Sequence, residues 1–128
     1  MLMQDGKDTP INNELSAEIQ ALEGHYLTIK KYLSGAEYDA LEIIGTLHVF
    51  KDTLDRISAH ILTLYTLKGQ RTKITWEPLL NNIGNALDTL RGYRNLNPRA
   101  AIQAALNMSE PNIEEVMSYL SKLKESLL

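Results

Sequence analysis

Cysteine is absent from this chain, and that absence removes several kinds of chemistry at once. No disulfide framework, thiolate zinc site, iron–sulfur cluster or cysteine nucleophile can be built from it. Valine occurs only twice, and phenylalanine and tryptophan once each, against 21 leucines and 11 isoleucines. Strands draw on β-branched and aromatic residues and helices on leucine, alanine, glutamate and lysine, so a sheet-rich fold is excluded and an all-α fold expected. No apolar run approaches the roughly 20 residues that a membrane span requires. The opening segment (MLMQDGKDTP) lacks the basic start and apolar run of a secretory signal. These absences lead to the expectation of a cytoplasmic protein with no membrane partner. The net charge of −3 gives no overall attraction to nucleic acid or anionic lipid, so any such binding must come from a local patch.

What is present is periodicity. A chain of 128 residues is one domain's worth of sequence and can bury a core without a metal or cofactor. Residues 1–12 carry no periodicity and are expected to be a poorly ordered lead-in to a single helical domain spanning 13–128. From 13 to 33, Leu15, Ile19, Leu22, Tyr26, Ile29 and Leu33 step alternately by four and three, which keeps them on one helical stripe. Ser34-Gly35-Ala36-Glu37 has the form of a capping box, which predicts that a second helix opens at once, over 35–68. Its stripe is Ala40, Ile43, Leu47, Phe50, Leu54, Ile57, Ile61 and Leu64. Three shorter helices are expected over 76–93, 98–108 and 111–127, with Asn97-Pro98 as a cap and first-turn proline. The fold expected is an antiparallel bundle of four to five helices with one long central helix.

That central helix sets a geometric problem. At 1.5 Å per residue it is about 50 Å long, whereas a compact domain of this size has a radius of gyration of about 14 Å, or roughly 36 Å across. Either it breaks near Gly45-Thr46, or one end projects and something covers it. Apolar residues at both ends, Leu41, Ile44, Val49 and Phe50, then Leu62, Tyr65 and Leu67, are the candidate cover sites, and the partner expected is a second copy or another protein.

Other constellations suggest other chemistry. Lys68, Arg71 and Lys73 precede the third helix, and Arg91, Arg94 and Arg99 follow it, so two cationic clusters could contact the phosphates of a nucleic acid. Both also follow helix ends, where cations are favoured by the helix dipole. His48, Asp52 and Asp55 share a face and could bear on a divalent metal, although bundle metal sites use a Glu-x-x-His pair and none occurs here. Asp39-x-x-Glu42 and Asp52-x-x-Asp55 resemble the paired acidic motifs with which all-helical nucleotide pyrophosphohydrolases hold magnesium. The resemblance implies metal-dependent hydrolysis, and it requires the two pairs to face each other from different helices, hence a break near Gly45. No glycine-rich phosphate loop, nucleophile elbow or His-Glu-x-x-His is present. The sequence is therefore read as a non-enzymatic interaction or regulatory module without cofactor, metal or catalytic residues, with nucleic-acid binding as the alternative and the hydrolase third.

Overall fold

The computed structural model describes the backbone of residues 2–67, 76–92 and 97–127, and the side chains of 12–64, 76–92 and 97–127. It contains α1 (Leu2–Leu33), α2 (Ala40–Leu67), α3 (Glu77–Gly92), α4 (Pro98–Asn107) and α5 (Ile113–Leu127), and no strand among the described residues. The fold is an all-α bundle. The expected lead-in is corrected: the chain is helical from Leu2, through Pro10, so α1 with 32 residues is longer than α2 with 28. Pro10 has no N–H to offer the carbonyl of Gly6, but the turns on either side carry the helix past the missing bond.

The junction between the first two helices also differs from the expectation. Ser34-Gly35-Ala36-Glu37 does not open α2; it closes α1. The Ala36 N–H donates to the carbonyl of Lys31 at 3.0 Å and the Gly35 N–H to that of Tyr32 at 3.1 Å, the paired bonds of a Schellman motif. Gly35 supplies the left-handed backbone that this motif needs, at φ +110°. The Ser34 hydroxyl donates backward to the Lys30 carbonyl at 2.8 Å, so it cannot serve as the forward cap. Residues 36–39 are non-helical, and α2 begins at Ala40 with the Asp39 carbonyl taking its first bond, from Ile43.

From there α2 runs without a break. Gly45 and Thr46 lie inside it, and the Thr46 hydroxyl folds back onto the Glu42 carbonyl at 3.0 Å. The stripe from Ile43 to Leu64 is buried along its length, with Ile43, Leu47, Phe50, Leu54 and Ile57 fully enclosed. It lies against the α1 stripe of Leu15, Ile19, Leu22, Tyr26 and Ile29. Glu14 is 3.9 Å from His60, Glu18 bonds Arg56, and Tyr26 meets Phe50, so numbers rise along one helix as they fall along the other and the two run in opposite directions.

The remaining helices close the other side of this pair. Helix α3 packs on α2 and α4, while α4 and α5 return to α1. In α3 the buried stripe is Leu79, Ile83, Leu87 and Leu90, with Trp76 buried just before it. Gly84 sits where the Lys51 stem crosses from α2, and a Cβ there would come within 3.3 Å of Lys51 Cε. The Asn97 side chain caps α4 by accepting from the Arg99 and Ala100 N–H groups, with Pro98 in the first turn as expected. Helix α5 starts later than its sequence suggests. Asn112 caps it by accepting from Glu115 at 3.1 Å, while Ser109 is buried and accepts from the Asn82 amide of α3.

Burying one leucine or isoleucine contributes about 1.5–3 kcal/mol, so the seam between α1 and α2 dominates the core. Leu54→Ala is expected to lower the unfolding free energy by about 2–5 kcal/mol and Phe50→Ala by about 3–5 kcal/mol. Leu41→Ala, on the opposite side of α2, should change it by less than about 0.5 kcal/mol. Urea titrations followed by circular dichroism check this, and equal losses at positions 41 and 54 would contradict the placement of the seam.

Candidate functional site

Helix α2 has a second face. On the side away from the seam, Leu41, Gly45, His48, Asp52, Asp55, Ala59 and Leu62 follow one another in steps of four and three, and all seven are exposed. They share one stripe because those steps return to the same side of a helix every two turns. Leu41 is 78% exposed and Leu62 57%, one at each end of the stripe. Between them the stripe is small or polar, and His48 Nδ1 lies 3.8 Å from the Asp52 carboxylate. Asp52, Asp55, Arg56 and Ala59 line a shallow, open depression on this surface.

The candidate cover sites divide accordingly. Leu41, Val49 and Leu62 are exposed. Phe50 is corrected: it is fully buried in the seam beside the Tyr26 ring and offers nothing to a partner. Ile44 is half-buried against the core of the same chain. The side chains of Tyr65 and Leu67 lie outside the described residues.

The cationic clusters are not brought together as a patch among the described residues. Lys68, Arg71, Lys73 and Arg94 lie outside them, and Arg91 is exposed at the end of α3. Arg99 has a structural post. Its Nε donates to the Tyr32 carbonyl and its Nη2 to the Ala36 carbonyl, each at 2.8 Å, and its guanidinium carbon sits 4.6 Å above the centre of the Tyr32 ring. It thereby adds a second donor to the Tyr32 carbonyl, which already accepts from Gly35, binds the Ala36 carbonyl just beyond α1, and holds α4 to the turn. The sequence contains the dipole argument for a cation near a helix end, but the end served is that of α1, 67 residues earlier.

The acidic pairs do not converge. With α2 continuous through Gly45, Asp52 lies 13 residues beyond Asp39, about 20 Å along the axis. Asp39 and Glu42 instead line a shallow depression with Arg99. Among the described residues no group of three or more histidine, aspartate or glutamate side chains is placed to hold a metal ion, so His48, Asp52 and Asp55 do not form such a site. No helix of the described residues is long and apolar enough to cross a membrane.

A cleft of about 220 Å³ opens where α1, α4 and α5 meet, lined by Tyr26, Lys30, Ser34, Leu106, Asn107 and Glu114 among others. Two of its polar groups, on α1 and α5, pair with each other. The buried Tyr26 hydroxyl donates to Glu114 Oε1 at 2.5 Å, and the Lys30 ammonium lies 5.3 Å from the centre of the Tyr26 ring. Burial, then the bond to Glu114 and the charge of its carboxylate, push the Tyr26 phenol above its ordinary pKa. The arrangement fastens α1 to α5, as does the ion pair of Glu23 with Lys124 further along.

Two measurements test these assignments. Arg99→Ala should lower the unfolding free energy by about 1–3 kcal/mol, since two hydrogen bonds and a ring contact are lost, whereas Arg91→Ala should stay within about 0.5 kcal/mol. Because the folded state holds the Tyr26 proton more tightly than the unfolded state, this tyrosine's contribution is complete below the ordinary phenol pKa of about 10 and is lost as pH rises above it. Stability of the native chain should therefore fall more steeply above that pH than stability of Tyr26→Phe, and identical alkaline profiles would contradict the bond to Glu114. Compared with models of known protein families, with curated proteins and with solved structures, the chain matches none.

Proposed function

We propose that this protein is a helical interaction module that self-associates through the outer face of α2. The observation that carries this reading is the exposed stripe from Leu41 to Leu62, which keeps a helical contact spacing over six steps while the opposite stripe of the same helix is already filled. A second copy can cover both ends at once, because in a two-fold dimer each residue of the shared surface is used twice. The small side of the stripe favours this too. Gly45 has nothing within 4 Å of where its Cβ would be, and Ala59 is exposed, so another helix can come close at both points. Arg99, of the second cationic cluster, is engaged within its own chain, which favours a protein partner over a nucleic acid at that cluster.

Sedimentation equilibrium at tens of micromolar is expected to return twice the mass of one chain. A leucine buried on association contributes about 1.5–3 kcal/mol, and 1.4 kcal/mol is tenfold in affinity, so Leu41→Asp or Leu62→Asp should each weaken association by at least about tenfold. Neither should change the thermal unfolding of the monomer appreciably. A monomer at the highest attainable concentration, or a dimer indifferent to both substitutions, would overturn the reading.

A further inference from the structure

The cleft between α1, α4 and α5 carries two opposite charges that do not meet. Lys30, in the last turn of α1, and Glu114, in the first turn of α5, both line it. Neither has an ion-pair partner among the described residues. Tyr26 is the neighbour of both: its ring centre lies 5.3 Å from Lys30 Nζ, and its hydroxyl donates to Glu114 Oε1. Glu114 Oε2 accepts no hydrogen bond from a described residue. We infer that this cleft binds a free α-amino acid with an aliphatic side chain, its carboxylate on Lys30 and its ammonium on Glu114.

The two charges select the chemistry of the occupant. A simple anion that reaches Lys30 is brought beside the Glu114 carboxylate, and a simple amine that reaches Glu114 is brought beside the Lys30 ammonium. Repulsion of this kind is stronger in a partly enclosed site than in water. A zwitterion avoids it on both sides, because each of its charges faces the opposite one. In an α-amino acid the ammonium and the carboxylate sit on a single carbon, so one small molecule makes a charge-assisted hydrogen bond at each end. It spans a gap wider than an ion pair, which is what separates Lys30 from Glu114.

The walls select the side chain. Leu33, Leu106 and Ile113 line the same cleft, the last two buried, and they offer an apolar surface beside the charged pair. A volume of about 220 Å³ is below the roughly 300–1,000 Å³ of pockets that take drug-sized molecules. It suits a single aliphatic amino acid and is too small for a nucleotide. Helix α2 contributes no residue to this lining, so the cleft is separate from the outer face on which self-association is proposed.

Titration of the isotope-labelled full chain with L-leucine, followed by amide shifts in nuclear magnetic resonance, tests this. The expected result is saturable binding in the millimolar range or tighter, with the largest shifts at the residues that line the cleft. Isocaproate, which is leucine without its ammonium, isoamylamine, which is leucine without its carboxylate, and glycine, which lacks the side chain, should each bind at least about tenfold more weakly. Lys30 is exposed, so Lys30→Met leaves the fold in place, and Glu114→Gln keeps an acceptor for the Tyr26 hydroxyl. Each should weaken leucine binding by at least about tenfold. Isocaproate binding as tightly as leucine would reduce the cleft to an anion site on Lys30 and overturn the inference. So would unchanged leucine affinity in Lys30→Met, shifts centred away from the cleft, or no saturable shift with leucine.

Discussion

The molecule depends on one contact, the apolar seam between α1 and α2. It is the longest continuous burial among the described residues, running on α2 from Ile43 to Leu64 and on α1 from Leu15 to Tyr32. Everything else is arranged around it. Helices α3, α4 and α5 are shorter than either member of the pair and gain their places by covering its remaining flank. This resolves the geometric problem that the length of α2 sets. A helix of 28 residues need not break to fit a small domain when its neighbour has 32 and lies along it. The price is an elongated pair whose outer surface must stay in water or find another surface.

Polar contacts then decide how firmly each end of the pair is held. At the end near Gly35, Arg99 closes the carbonyls of the turn, Tyr26 binds Glu114, and Tyr32 stacks edge-on with Tyr38. At the opposite end the described contacts are those of Glu18 with Arg56 and Glu14 with His60, with Arg56 and Glu14 more than half exposed. Exposed pairs of this kind contribute little. The difference follows from topology, since α4 and the start of α5 both dock at the Gly35 end.

Much of this was legible in the sequence, and the parts that were not have physical reasons. The stripes of α1, α2 and α5 could be read from alternating steps of three and four, because burial is what makes leucine spacing periodic. Asn97-Pro98 could be read because a cap and a first-turn proline act within a few residues. Ser34-Gly35-Ala36-Glu37 misled because the same residues suit a helix start through Ser34 and Glu37 and a helix end through Gly35, and the left-handed backbone of the glycine settled the choice. The posts of Arg99 and Glu114 could not be read, since their partners are 67 and 88 residues away. Of the candidate surface, Leu41, Val49 and Leu62 are exposed, while Phe50 is buried. The stripe joining Leu41 to Leu62 has the same spacing as the core stripes. It is harder to see because glycine, alanine, histidine and aspartate occupy it, and a pattern search keyed to apolar residues passes over them.

The positions of Tyr26 and Lys124 carry a consequence for the order in which the chain assembles. Helices α1 and α2 are separated by six residues, so their seam closes through a short loop and belongs to the fast, local events of folding. Helix α5 must bring Glu114 back to Tyr26 and Lys124 back to Glu23, spans of 88 and 101 residues. On a ribosome the long pair is already exposed when the last helix is still being made, so the α1 flank that α5 covers is the surface most open to wrong partners during synthesis.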